Sequence, residues 1–149
     1  MSSTNIATPS RIPLSRVLLA GVIASAASIV ANLILRWLGM ALIDVPADFM
    51  PLATTLPVIQ FTVIYLIIAV IVFALINRFT RDPVRIFRIV AIVALIISLI
   101  PDIMLLVNPG AMPMGTVTFS AVVILILMHL VSFAIVWWAF TIWAPQGHK

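Results

Sequence analysis

The chain of 149 residues contains no cysteine and no glutamate. The first absence excludes disulfides, thiolate metal sites and thiol redox chemistry. With aspartate as the only acid and four copies of it, no paired-carboxylate motif for acid–base catalysis appears. Glycine is scarce, at five residues, and none of the five forms a phosphate-cradling loop. Charge of either sign is scarce too, at 8% of residues against about 25% in soluble domains. So few charges cannot cover a water-facing surface.

Apolar residues are abundant instead. They make up 64% of the chain, and the mean hydropathy is +1.33. The length suits a single domain of four membrane spans with short connections and leaves no room for a separate soluble domain. A formal charge of +4 and a pI near 11.3 would suggest nucleic acid as partner of a soluble protein. Here the arginines border apolar spans, so the lipid bilayer and its anionic headgroups are the expected partners and nucleic acid is not.

The spans are arranged around one basic stretch, RFTRDPVRIFR, which holds Arg78, Arg81, Arg85 and Arg88. Apolar segments long enough to cross a bilayer flank it on both sides, the pattern of a short loop between two membrane helices. Within it, Asp82 is placed to cap the following helix and Pro83 to occupy its first position. Reading outward gives a polar tail over 1–16, spans near 17–42, 57–77, 84–107 and 117–143, the last stopped by Pro145, and a short tail over 144–149. The loop IDVPADFMPLATTLP joins the first two spans, with Thr54 or Thr55 as candidate cap and Pro57 in the first helical turn. A second, uncharged loop, around Asn108-Pro-Gly and Met112-Pro-Met-Gly115, joins the last two. The fold class expected is all-α, a polytopic four-transmembrane-helix bundle.

Arg11 and Arg16, followed by Val17–Ile23 and Ala24-Ser25-Ala26, also fit a cleavable signal peptide, but the apolar run continues to Leu38, the length of a full span. All basic residues except Arg36 fall on the side shared by the termini and the middle loop, which places both termini in the cytoplasm. Trp37 at one boundary and Trp137, Trp138 and Trp143 at the other fit interfacial aromatic belts. In span 1, Ala20, Ala24 and Ser28 share a stripe, with Gly21 and Ser25 beside it. Small residues there let another helix approach closely. The neighbour is either a helix of the same bundle or a second chain, so a homo-oligomer or a larger membrane complex stays open as partner.

Ionisable residues in hydrocarbon are costly and therefore mark candidate sites. Three lie within the spans: Arg36, Asp102 and His129. Asn32 precedes Arg36 by one turn, Ser98 precedes Asp102 by one turn, and Gln60 lies at a similar depth in span 2. The functional reading joins Asn32, Arg36, Gln60, Ser98, Asp102 and His129 into a polar cluster in the outer half of the bundle that takes a small solute or moves a proton. The structural reading makes Arg36–Asp102 an ion pair stapling helix 1 to helix 3, or lets Arg36 reach the outer headgroups beside Trp37. Pro101 removes an N–H and is expected to kink span 3 next to Asp102. His129, near the midplane, could relay protons to Asp102, ligate haem, or simply pack with Ser132 one turn on. The only other histidine, His148, is in the tail, so no haem, metal or other cofactor is expected. Met112 and Met114 suggest soft-metal binding only weakly, and apolar packing is the default.

At Arg81-Asp-Pro-Val-Arg-Ile-Phe-Arg88, then Ser98-Leu-Ile-Pro-Asp102, then Met128-His129, the chain resembles small four-span bacterial membrane proteins of domain-of-unknown-function family 6069. The resemblance runs from the first span to the fourth. It implies a four-helix protein of the bacterial inner (plasma) membrane and brings no activity or catalytic residue. The function expected is a non-enzymatic structural or accessory component, with a small solute or proton transporter as the alternative.

Overall fold

The computed structural model describes residues 11–110 and 112–148. They form α1 (Leu14–Leu42), a one-turn α2 (Met50–Ala53), α3 (Thr55–Phe79), α4 (Pro83–Val107) and α5 (Phe119–Trp138), with no strand among them. Four of these helices, the last extended to Gln146, are long and apolar enough to cross a membrane. The fold is an all-helical bundle, and the protein is a multi-pass membrane protein. Leu18, Val22, Ile64, Ile67, Ile71, Ile96 and Ile103 lie exposed on its flanks, as a lipid-facing surface requires.

The helices start for reasons visible in the chain. Asp82 Oδ1 accepts from the Arg85 amide at 3.2 Å, and Pro83 opens α4 in the turn where a missing N–H is harmless. Thr118 Oγ1 caps α5 by accepting from the Ala121 amide at 3.3 Å. Thr54 occupies the cap position of α3, but its hydroxyl makes no capping bond, which corrects the expectation for that threonine. The end of α5 differs as well. The helix widens to a π-turn over Ala139–Trp143 and tightens to a 3₁₀ turn over Ala144–His148, so Pro145 lies within helical structure and does not end it. Helix α4 runs unbroken through Pro101.

The end of the bundle that holds the 80–82 turn is its basic end; the opposite end, with Asp44 and Asp48, is its acidic end. At the basic end Phe73, Phe87 and Phe140 form a buried aromatic trio with centroids 4.8–5.4 Å apart. Asn77 Nδ2 donates to the Ile12 carbonyl at 2.8 Å, and the Ile12 amide donates to Asn77 Oδ1 at 3.2 Å, fixing the segment before α1 to the end of α3. Arg16 lies over Trp143 and Arg88 over Trp137, at 5.3 and 5.6 Å from the ring centroids.

At the acidic end the two long loops hold each other. Asp48 Oδ2 accepts from the Thr116 hydroxyl at 2.8 Å and the Thr116 amide at 3.0 Å, and the Met50 amide donates to the Met114 carbonyl at 2.8 Å. Gly115 beside this contact has φ +82, and a Cβ there would run into the Asp48 carbonyl. The two bonds from Thr116, the hydroxyl's first, hold the Asp48 carboxyl below its ordinary range. A lowered carboxyl stabilises the fold above its ordinary titration range, so this contact is complete at neutral pH and is lost only as acid reaches the lowered value.

In the membrane region α3 packs on α1, α1 on α5 and α5 on α4. The small face of α1 makes the first contact. Gly21, Ala24 and Ser28 are buried, Ser25 is half-buried, and a Cβ on Gly21 would collide with Val70 Cγ2 of α3. Gly39 faces Ile124 of α5, which a Cβ would meet at 3.1 Å. Contact between α3 and α4 is sparser, and a cleft lies between them.

Candidate functional site: a cleft between α3 and α4

Three helices line the cleft with residues at helical spacing. Helix α4 contributes Phe87, Ala91, Ala94, Ser98, Asp102 and Leu105, a stripe at steps of three and four residues. Its small members make the room. Facing it on α3 are Val58, Thr62, Leu66 and Ala69, with Phe61 and Tyr65 half-exposed at the rim. The back wall is α5, with Met128, His129, Ser132 and Phe133, and Asn32 reaches in from α1. The loops close the acidic end with Pro51, Met112 and Met114. The volume is about 370 Å³, within the range of small-molecule sites, and the lining is mainly apolar.

Asp102 and His129 meet in this cleft. Asp102 is 4% exposed, and His129 Nδ1 lies 3.1 Å from its Oδ2. Nδ1 is also 2.9 Å from the Leu125 carbonyl one turn back. A carbonyl only accepts, so Nδ1 carries the hydrogen and Nε2 is the bare, basic nitrogen. That hydrogen is directed to Leu125, and the contact with Asp102 is one of proximity. Asp102 Oδ2 is consequently shut off from solvent without a hydrogen bond. Such a carboxylate in an apolar site needs a proton or a positive partner, and the imidazole is the nearest source of one.

A second polar node in the same cleft is centred on Asn32. Asn32 Nδ2 donates to Thr62 Oγ1 and to Ser132 Oγ, both at 3.0 Å, and Thr62 Oγ1 donates to the Val58 carbonyl at 2.6 Å. Asn32 thus ties α1 to α3 and α5 inside the membrane. Asn32 Oδ1 and, one turn away, Ser28 Oγ are buried without partners. Because Ser132 accepts from Asn32 and no hydrogen bond joins it to His129 among the described residues, Asp102, His129 and Ser132 do not assemble a nucleophilic triad. Two ligands, Asp102 and His129, also fall short of a metal site, and no cluster of three metal-ligating side chains occurs among the described residues.

Of the residues expected to cluster, Asn32, Ser98, Asp102 and His129 line the cleft, and Arg36 and Gln60 do not. Arg36 turns to the loop, its Nε donating to the Leu52 carbonyl at 2.8 Å and a terminal nitrogen to the Ala53 carbonyl at 2.9 Å. It closes the C-terminal end of α2, where carbonyls lack helical donors. The Arg36–Asp102 staple is therefore absent. Gln60 is exposed on the outer side of α3. Ser98 Oγ donates back to the Leu95 carbonyl at 2.8 Å. Arg78, Arg81, Arg85 and Arg88 are exposed at the basic end, remote in sequence and depth from Asp102. Thr62 and Tyr65 belong to the cleft without having been singled out from sequence. The available signal was that 58, 62, 65 and 69 share a face of α3, which Gln60 does not.

The family is decided by extent: residues 8–145 match the Family of unknown function (DUF6069). The chain belongs to DUF6069. The match covers all four long helices, hence every residue of the cleft. No curated protein and no solved structure matches this DUF6069 chain.

Proposed function

We propose that this DUF6069 protein is a non-enzymatic transporter of a bacterial plasma membrane, moving a small solute through the α3–α4 cleft in exchange for, or together with, protons. The observation that carries the reading is the Asp102–His129 pair: a carboxylate oxygen with no hydrogen bond, 3.1 Å from an imidazole whose other nitrogen is free to take a proton. Buried carboxylate oxygens ordinarily have a hydrogen-bond partner. Here the bond is missing, in a residue that lines a cavity. The basic residues at the end shared by the termini favour a cytoplasmic orientation for that end, which puts the loop-closed acidic half of the cleft in the outer half of the membrane. An accessory or structural role draws its motive from the small face of α1. With Gly21 against Val70, that face already has its neighbour inside the bundle.

The test uses purified protein in vesicles that enclose a pH indicator, with small amphiphilic solutes of each charge type added outside. Proton movement is expected with the solute the cleft accepts, and Asp102→Asn is expected to reduce it to the level of empty vesicles. Proton movement that survives in Asp102→Asn, or its absence with every solute, would contradict the reading.

A further inference from the structure

The charge of the solute can be read from the lining. Among the described residues that line the cleft, the titratable side chains are Asp102 of α4, His129 of α5 and Tyr65 of α3. Helix α1 contributes Asn32 and no charge, since Arg36 is held by the Leu52 and Ala53 carbonyls. No arginine or lysine lines the cleft, so the only positive charge an anionic solute could meet is the protonated His129, which already has the Asp102 carboxylate beside it. A cation would meet the buried Asp102 carboxylate.

The walls point the same way. Phe61, Tyr65 and Phe133 line the cleft with aromatic side chains, and ring faces attract cations most strongly where water is excluded. Phe61 and Tyr65 are 55% and 56% exposed at the rim between α3 and α4, on the flank of the bundle that faces lipid. A solute dissolved in the bilayer can therefore enter sideways, without crossing the loops that close the acidic end.

Building on the transport reading above, we infer that the cleft takes a lipophilic organic cation, with apolar or aromatic substituents around one positive charge, and that this cation replaces the proton held by Asp102 and His129. The exchange balances. One cation enters, His129 gives up the proton from Nε2 to water, and the net charge of the site is unchanged. Because the proton and the cation compete for one carboxylate, cation affinity falls as pH falls, and by reciprocity bound cation expels the proton.

The experiment is equilibrium binding of methyltriphenylphosphonium to the full chain in lipid nanodiscs, above the level of empty discs, at several pH values. Triphenylphosphine oxide, neutral and of similar shape, serves as the control. Saturable binding is expected, tightening by up to about tenfold per pH unit while one proton is displaced, with release of that proton seen in weakly buffered medium. Asp102→Asn should lose the binding at every pH, and triphenylphosphine oxide should release no proton. Should Asp102→Asn fail to fold, Phe61→Leu with Tyr65→Leu provides the second variant and is expected to weaken phosphonium binding by about tenfold. Absence of phosphonium binding, equal binding by Asp102→Asn, or equally tight binding of the oxide would overturn the inference. If a neutral or anionic solute nonetheless drives Asp102-dependent proton movement in vesicles, only the solute class is wrong. If no solute does, the transport reading falls with it.

Discussion

Gly21→Leu is expected to destabilise the bundle by about 3 kcal/mol, the upper part of the range for overpacking a tight contact. The reason is local. A Cβ at Gly21 already runs into Val70 Cγ2 of α3, and valine in a helix has one strongly preferred rotamer with which to respond. The three further carbons of leucine extend toward the same helix. Leucine is the better helix former by up to about 1 kcal/mol, which offsets only part of the loss. Combining Gly21→Leu with Val70→Ala removes the obstructing methyl groups and should recover a large part of the stability, a coupling measurable as a double-mutant cycle on the midpoint of unfolding in a denaturing detergent. If Gly21→Leu left that midpoint unchanged and instead altered the native mass, the small face would be serving a second chain.

The second large effect has opposite signs at the two members of one pair. Asp102→Leu is expected to raise stability, by about 1–3 kcal/mol, while abolishing proton movement. It removes a buried carboxylate whose Oδ2 has no hydrogen bond, and it strands nothing, because His129 Nδ1 keeps the Leu125 carbonyl as acceptor. His129→Leu, by contrast, leaves that carboxylate in an apolar cleft with no nearby source of positive charge and should destabilise by about 3 kcal/mol. Unfolding midpoints of the two variants at one pH check this. Two changes of equal sign would mean that the pair acts as an ordinary structural contact.

The comparison of Gln60 with Thr62 shows what the sequence could convey about this site. Counting residues along an apolar span gives depth, because the rise per residue is fixed, and by depth Gln60 belongs with Asn32 and Asp102. It does not give rotation. Two residues turn a helix by more than half a circle, which leaves Gln60 exposed on the flank and brings Thr62 to Asn32. In a soluble helix the apolar stripe supplies the missing angle, but in these spans nearly every side chain is apolar, so lipid-facing and buried faces read alike.

Arg36 illustrates a second limit. Its depth and sign made Asp102 a natural partner, yet the carbonyls it binds belong to α2, a single turn inside a proline-rich loop with no apolar repeat to announce it. By contrast, what depended on charge distribution or local stereochemistry was legible: the four spans, the turn at Arg78–Arg88 and the Asp82 cap with Pro83 behind it. The close approach at Gly21 was legible as a small face; that its neighbour is α3 needed the structure.

In the proposed transporter, Asp102 and His129 bind a proton as one unit in the cleft. The chain has only two histidines, so ¹⁵N-histidine labelling yields two imidazoles, of which His129 is identified by its loss in His129→Gln. Neutral His129 is expected to carry its hydrogen on Nδ1 and to take a second proton on Nε2 as pH is lowered, and Asp102→Asn is expected to change the midpoint of that titration. A neutral His129 with its hydrogen on Nε2, or a titration identical in the wild type and Asp102→Asn, would contradict it.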